Sequence, residues 1–359
     1  MLKSLIPVNG DDGRAWSALR ALLEQVPIIE IGAVHATPAS ENALDLTAHV
    51  RCAGQAYQLV CAIKSNGQPR YARMALLELR DYVGKGAYDA VPILIAPYLS
   101  PAVRHMCRDS GVGYLDLSGN ARIAFGGVFI EREMPDKPAV EQRELKSLFK
   151  PKSALVLRAM LREPTRAWRV TELADATGVS LGHISNVRTG LLDREWARVG
   201  ERGLQLSAPE ALLDAWKAAY AAPAGESRRF YTPLHGKAFE DAARSALSLQ
   251  GKSARAVFAS FSAANWLAPY GRTGTQYFYA DRLGLEQLQA ALRLAPASKG
   301  ENVVVWLPKD EGLFVDAIEV APGAICTSPV QTYLDLSLSG ERGEEAAEHL
   351  RRELLDLAQ

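Results

Sequence analysis

Ser185, Asn186 and Thr189 share one side of a segment whose apolar residues Ile184, Val187 and Leu191 recur at i, i+3 and i+7. Hydroxyl and amide side chains can hydrogen-bond the base edges of a DNA groove, and an asparagine can hold adenine through two bonds at once. Gly182 lies on the same side and adds no bulk, while Ser180 sits where a helix-capping hydroxyl belongs. His183 and Arg188 flank the face, and the arginine suits a phosphate oxygen. The chemistry implied is the reading of double-stranded DNA.

Residues 168–206 supply the elements that would position this face. Val170 ends a short apolar strand, Thr171 stands at an N-cap, and a helix over 172–177 is stopped by Gly178. Val179 fills the turn before the second helix. Strands over 196–199 and 204–206 then flank Gly200-Glu201-Arg202-Gly203, a hairpin carrying Arg198 and Arg202. The order reads as a winged helix-turn-helix, with the two arginines placed for backbone or minor groove. Residues 150–207 hold ten Lys/Arg against six Asp/Glu, in a chain whose 41 basic and 41 acidic residues cancel. Phosphate contacts need only such a local surface. A winged helix used for protein contacts alone would show the same pattern.

The 359 residues allow two or three domains with their own cores, and the composition is that of an ordinary globular protein. No apolar run approaches the roughly 20 residues that cross a bilayer. The first ten residues lack the features of a secretory signal. Cys52, Cys61, Cys107 and Cys326 form no C-x-x-C pair and read as buried hydrophobes in a reducing cytosol. The six histidines show no metal-ligand spacing, so neither metal nor cofactor is expected.

An α/β pattern precedes the winged helix. A helix over 14–25 leads to strands over 28–35, 44–52 and 57–63, a helix over 70–83, a strand over 91–96, a helix over 101–108, and strands over 114–117 and 122–125. The third strand ends Cys61-Ala62-Ile63-Lys64. The order helix, three strands, helix, strand, with this strand end, resembles the core of PD-(D/E)xK nucleases. That resemblance implies a Mg²⁺ ion held by an acidic residue on one strand and by the first residue of E-x-K on the next, beside a lysine that polarises the phosphate or water. Lys64 matches the lysine and Asp45 the first carboxylate, but Ala62 replaces the second, and a methyl group cannot ligate a hard cation. Residues 1–134 are therefore expected as an inactive nuclease-like domain in which Asp45 and Lys64 are vestiges. Glu78 or Asp81 from the next helix is the conceivable rescue. The loop Lys64-Ser65-Asn66-Gly67-Gln68-Pro69-Arg70 reads equally as a phosphate site or a plain connection. Asp116 and Asn120 read as turn chemistry.

Residues 135–149 suit a linker or connecting helix, 150–207 the winged helix, and 208–227 a helix opened by the capping-box spacing of Ser207 and Glu210, followed by a looser stretch. Residues 228–359 form a second α/β domain. Helices are expected over 237–249, 262–267, 285–294, 330–336 and 343–357, and strands over 255–260, 276–280, 303–307 and 313–319. Seven acidic and three basic residues follow 330, on an amphipathic terminal helix whose charges suit a solvated face or a weaker partner surface. Gly271-Arg272-Thr273-Gly274 is too short a pattern for a phosphate loop.

The run Ser328-Pro329-Val330-Gln331-Thr332-Tyr333-Leu334-Asp335-Leu336, then Gly340-Glu341-Arg342-Gly343-Glu344-Glu345-Ala346-Ala347, resembles the AbiEi-type antitoxin and transcriptional-regulator family over about residue 145 to the end. The resemblance implies a cytoplasmic bacterial protein that binds inverted repeats upstream of its own operon. It also implies counteraction of a nucleotidyltransferase toxin without a stable complex, the type IV arrangement. The added N-terminal domain departs from shorter members, and a solitary regulator fits the same residues. The leading expectation is thus a sequence-specific DNA-binding regulator and not an enzyme. Thr171, Ser180, Gly182, His183, Ser185, Asn186, Arg188, Thr189, Arg198 and Arg202 would face DNA, and a homodimer would match a two-fold operator. The alternatives are a Mg²⁺-dependent nuclease targeted by the winged helix, and an adaptor that holds protein partners.

Overall fold

The computed structural model describes residues 11–36, 44–85, 89–135, 137–248, 255–271 and 273–355. The first ten residues, Arg272 and the final residues of the expected terminal helix lie outside the described residues. The chain divides into two compact units, Met1–Glu144 with Leu192–Glu195, and Leu145–Leu191 with Trp196–Gln359.

The N-terminal unit runs α1 (Asp11–Leu23), β1 (Ile29–Ala36), β2 (Leu46–Cys52), β3 (Gln55–Ile63), α2 (Pro69–Gly84), β4 (Ala90–Ala96), α3 (Pro101–Asp109), β5 (Gly113–Asp116), β6 (Ala121–Phe125) and β7 (Val128–Arg132). Its seven strands lie side by side in chain order. β3, β4 and β5 are parallel and the other neighbours antiparallel. Strand alternation sends Leu59 and Cys61 to the core beneath α1, and Val60 and Ala62 to the core beneath α2 and α3. A central strand buried on both faces reads as a continuous apolar run, which is why β3 is apparent in the sequence. β7 was not expected. It forms because Gly126 and Gly127, both at positive φ, reverse the chain for a second antiparallel pairing.

Asp116, 1% exposed, accepts the backbone N–H groups of Leu99, Ser118 and Asn120, and Asn120 in turn accepts from buried Arg104 at 2.8 Å. The expected turn chemistry there is present, and it is buried.

A helix, α4 (Ala139–Leu148), occupies the expected linker. The second unit then opens with α5 (Pro151–Arg162), α6 (Val170–Thr177), α7 (Leu181–Asp193), β8 (Ala197–Gly200) and β9 (Gly203–Leu206). Leu157, Leu173, Ile184, Val187, Leu191 and Leu204 are buried together with Trp168. Two details depart from expectation. Val170 begins α6 instead of ending a strand, so Thr171 is inside the helix and not its N-cap. The reason is that Glu172 reaches back to accept the N–H of Arg169 at 3.1 Å, which starts the helix two residues earlier. The strand is reduced to a bridge between Trp168 and Leu204. The hairpin is also tighter than read. Gly200 pairs with Gly203, leaving Glu201-Arg202 as the turn. Gly203 (φ 132°) is required, because a Cβ there would collide with the Trp168 carbonyl.

The same unit continues with α8 (Pro209–Ala219), β10 (Gly225–Tyr231), α9 (Gly236–Ser248), β11 (Ala256–Phe258), α10 (Ser260–Leu267), β12 (Gln276–Ala280), α11 (Arg282–Leu292), β13 (Ala295–Pro296), β14 (Val303–Pro308), β15 (Ile318–Ala321), β16 (Ala324–Cys326), α12 (Pro329–Ser337) and α13 (Gly340–Leu354). Seven strands form a mixed sheet in the order β13-β10-β14-β12-β11-β16-β15. The apolar run expected as a strand over 313–319 is instead a 3-10 turn, Glu311–Phe314, followed by β15. Asp310 causes the difference by accepting the Gly312 N–H at 3.0 Å, which tightens the chain into a turn. β10, β13 and β16 were not expected.

Residues 150–191 and 196–207 share one unit with the C-terminal sheet, and Arg158, 3% exposed on α5, links the two parts. Its guanidinium donates to Asp316 Oδ2 at 2.7 Å, to the Gly312 carbonyl at 2.9 Å and to Gln331 Oε1 on α12 at 3.3 Å. Phe149 stacks on Trp216 of α8 with ring centroids 5.5 Å apart.

Candidate functional site

α7 places its residues as its apolar period dictates. Ile184, Val187 and Leu191 point into the core, so Gly182, Ser185, Asn186 and Thr189 come out exposed on the other side. Gly178, in the left-handed conformation at φ 67°, ends α6 with its N–H on the Ala174 carbonyl at 2.8 Å and lets the chain turn into α7. Ser180 occupies the residue before α7, its carbonyl accepting the Ile184 N–H at 3.0 Å. No hydrogen bond holds the side chains of Ser185 and Asn186 among the described residues. The Thr189 hydroxyl donates to the Ser185 carbonyl at 3.1 Å, which keeps its lone pairs outward. A Cβ at Gly182 would meet nothing within 4 Å, so packing does not demand glycine there.

The ten residues expected on this face do not all stand on it. His183 turns inward, its Nε2 2.9 Å from the hydroxyl of buried Ser153 on α5. That bond ties α7 to α5 and leaves the ring a structural part. Arg188 is half-buried, while Thr171, Arg198 and Arg202 are exposed, the last two on the β8–β9 hairpin. The local basic excess is also smaller than its count. Arg158 is consumed by Asp316, and Arg166 lies over the Trp168 ring at 3.6 Å while paired with Glu163 at 3.1 Å.

A second group of chemistry-bearing residues lies in the N-terminal unit. Asp45 Oδ2 accepts the Ile63 N–H at 2.6 Å, and Lys64 Nζ donates to Glu78 Oε2 at 2.8 Å. Burial raises the Asp45 carboxyl above its ordinary value, opposed by the Ile63 bond and the Lys64 charge, with Glu78 adding to the rise. Asp45, Lys64 and Glu78 thus form one electrostatic cluster. Asp81 does not join it, being exposed and paired with Lys85 at 2.7 Å. Ala62 is fully buried among Ala72, Leu94 and Ala96, so the absent carboxylate is replaced by core packing. No group of three or more His, Cys, Asp or Glu side chains fit to hold a metal occurs among the described residues. In the Lys64–Arg70 loop the backbone is held locally. Gln68 N–H donates to Asn66 Oδ1 at 2.9 Å, and Gly67 admits no Cβ because the Tyr98 carbonyl fills that space.

The sequence offered Glu78 only as an alternative to Asp81, because its approach to Lys64 depends on how α2 crosses the sheet. One feature escaped the sequence altogether, a buried polar network beside α5. Asp335, 8% exposed on α12, accepts from the Tyr220 hydroxyl at 2.6 Å and from Gln331 Nε2 at 2.9 Å. Burial pushes its carboxyl up to about 6, against the opposing hydrogen bonds of Tyr220, Tyr279 and Gln331 and the charge of Arg158. The i, i+4 spacing of Gln331 and Asp335 was the available signal, because two strongly polar residues there share one face of a largely buried helix. The four cysteines are buried and free, with Cys61 pushed up to about 12 by burial. No helix of the described residues is long and apolar enough to cross a membrane.

Residues 205–356 match the family described as transcriptional regulator, AbiEi antitoxin, type IV TA system. No curated protein matches the chain. Among solved structures it is similar to EndoMS in its apo form, at 13% identity and a TM-score of 0.22 over 29% of this chain and 45% of that one. It is also similar to a repair endonuclease from Pyrococcus abyssi, at 12% identity and a TM-score of 0.22 over 28% of this chain and 46% of that one. The chain thus spans less than half the length of either endonuclease.

Proposed function

We propose that the protein is a sequence-specific DNA-binding transcriptional regulator, and that α5–α7 with the β8–β9 hairpin act as a winged helix-turn-helix. The observation that carries the reading is the face of α7: small polar side chains, exposed, those of Ser185 and Asn186 without a hydrogen bond among the described residues, opposite a buried apolar stripe. In this reading Ser185 and Asn186 meet base edges in the major groove and Thr189 accepts at its margin. Ser180, Arg188, Arg198 and Arg202 meet phosphates or the adjacent minor groove, and Gly182 admits close approach. The match of residues 205–356 supports the finer proposal, an autorepressing antitoxin of a type IV system. Its DNA is an inverted repeat at its own promoter, bound by two copies. A nucleotidyltransferase toxin is its functional counterpart without a stable complex, and its compartment is the cytosol.

The test is titration of the protein against DNA from upstream of its own gene and against a scrambled duplex. Tighter binding to the first by a factor of about 10³ or more, weakening as salt rises, supports the regulator. Equal binding to both, or none, sinks it.

A second reading, a Mg²⁺-dependent nuclease, draws on the Asp45–Lys64–Glu78 cluster, where Glu78 would stand in for the carboxylate missing at position 62. It requires cleavage that depends on Mg²⁺ and disappears in Glu78→Gln. The salt bridge from Glu78 to Lys64 weighs against it, since each group neutralises the other's role.

A further inference from the structure

β10 runs along one side of the C-terminal sheet with only the two-residue β13 outside it, so most of its length has a strand partner on one side only. β14 pairs with it along Gly225–Phe230, whereas two-residue β13 pairs only at Phe230 and Tyr231. In an antiparallel ladder the N–H and C=O of one residue point the same way, and successive residues alternate. The Ala224 carbonyl accepts from Lys309 N and the Phe230 carbonyl from Asn302 N, which fixes the even-numbered residues toward β14. The Arg229 carbonyl accepts from Ala297 N on the opposite side. Gly225, Ser227 and Arg229 therefore direct their backbone groups outward. Among the described residues the N–H and C=O of Ser227 have no backbone partner.

We propose that this edge pairs with the same edge of a second copy of the chain, about a two-fold axis through Ser227. The inference deepens the regulator reading by locating the homodimer that reading calls for, and rests on it to that extent. Centred there, the two Ser227 residues exchange both backbone hydrogen bonds, and each Gly225 carbonyl meets the Arg229 N–H of the second copy. The side chains agree with the backbone. Glu226 of each copy stands opposite Arg228 of the other, on one face, and opposite charges so placed stabilise a strand pair. Within one chain these residues already form a salt bridge at 2.9 Å, so their charges are present and exposed. Charged side chains ordinarily keep a sheet edge from pairing. Here the run Glu-Ser-Arg is its own complement, so it repels foreign strands and accepts its copy.

Neighbouring registers fail. A centre at Gly225 would set Pro223, which has no N–H, opposite Ser227. A centre at Arg229 collides with β13. The ladder is short, so its area falls below the roughly 1,200 Å² of standard interfaces and association of the free protein is weak. Two copies on adjacent half-sites would strengthen it by raising their effective concentration.

The test uses the full chain carrying Ser227→Cys, oxidised with and without the upstream DNA, and run on a non-reducing gel. Across the axis the two Cα atoms of such a pair lie about 5.5 Å apart, inside the disulfide range of about 4.4–6.8 Å. The native cysteines are all buried and give no background. Ser227→Cys should convert largely to linked dimer, while Glu226→Cys, two steps off register, stays monomeric. Adding Glu226→Arg to Ser227→Cys should lose the cross-link, and adding Arg228→Glu as well should restore it. Ser227→Pro removes only an outward N–H, so it should sediment as monomer under conditions where wild type dimerises, with an unchanged melting temperature. Equal cross-linking at 226 and 227, or no cross-link at Ser227→Cys even on DNA, overturns the proposal. Cross-linking by a protein that fails to prefer its upstream DNA would leave this interface standing and remove the regulator.

Discussion

In the N-terminal unit Asp45, Lys64 and Glu78 are engaged with one another or with backbone, whereas on α7 the side chains of Ser185 and Asn186 face solvent with no hydrogen-bond partner among the described residues. The first set has the residue types of phosphate chemistry, yet the lysine that would touch a phosphate is held by a carboxylate. The second set has no acid, base or metal ligand, yet its side-chain donors and acceptors are unspent and mounted on a helix braced from behind by Ile184, Val187 and Leu191. Displayed hydrogen-bonding capacity, and not the inventory of reactive side chains, separates a recognition surface from a structural cluster.

The largest expected effect tests the brace. Arg158→Ala leaves Asp316 in a buried site without its cation, and breaking such a pair costs about 3–5 kcal/mol. Urea unfolding should show that loss. A loss below about 1 kcal/mol would mean that α5 is not anchored through this arginine.

Next comes a pH effect in the same brace. Asp335 sits at about 6 in the folded chain against an ordinary 3.8, so the folded state holds a proton that the unfolded chain releases. Its contribution is complete below pH about 4 and is lost as pH rises through 6. The difference is about 3 kcal/mol in favour of the acid side. Asp335→Asn should flatten this slope of stability between pH 4 and 7 and be no less stable at neutral pH. An unchanged slope would assign the titration elsewhere.

On the recognition face, Asn186→Ala should relax the choice at one base pair by about 1–3 kcal/mol. Arg188→Ala should instead weaken all duplexes alike and lower the salt slope by about one. A uniform loss from Asn186→Ala would mean that α7 is not the reading helix. The smallest effect belongs to the N-terminal cluster. Lys64→Met removes a partly exposed pair worth roughly 0–1 kcal/mol and should leave DNA affinity unchanged. A large loss of affinity would promote this cluster from structure to function.

Much of α7 and its turn was legible because two local rules coincide there: the i, i+3, i+7 apolar spacing and Gly178, at positive φ, just past the end of α6. β10 was illegible because six of its seven residues, all but Phe230, are exposed, so no hydrophobic alternation marks it. The run at 313–319 misled because apolar spacing cannot reveal that Asp310 will capture the Gly312 N–H. His183 and Arg158 were counted toward DNA because their types suit it. Their partners, Ser153 at 30 and Asp316 at 158 residues' separation, exist only once the chain has folded. Glu78 was foreseen as an alternative to Asp81, and only the crossing of α2 over β3 decides between them.

The central claim is that α7 and the β8–β9 hairpin read DNA. Its most direct test is fluorescence anisotropy of the full chain on DNA from upstream of its own gene and on a scrambled duplex. Two salt concentrations are used with Mg²⁺ present, and the recovered DNA is run on a gel. The account predicts intact DNA, strong preference for the native duplex, and affinity that falls with salt. Cleaved DNA would contradict it by making the Asp45–Lys64–Glu78 cluster an active site. Absence of binding to either duplex would contradict it by reducing the α7 face to a surface for protein contacts.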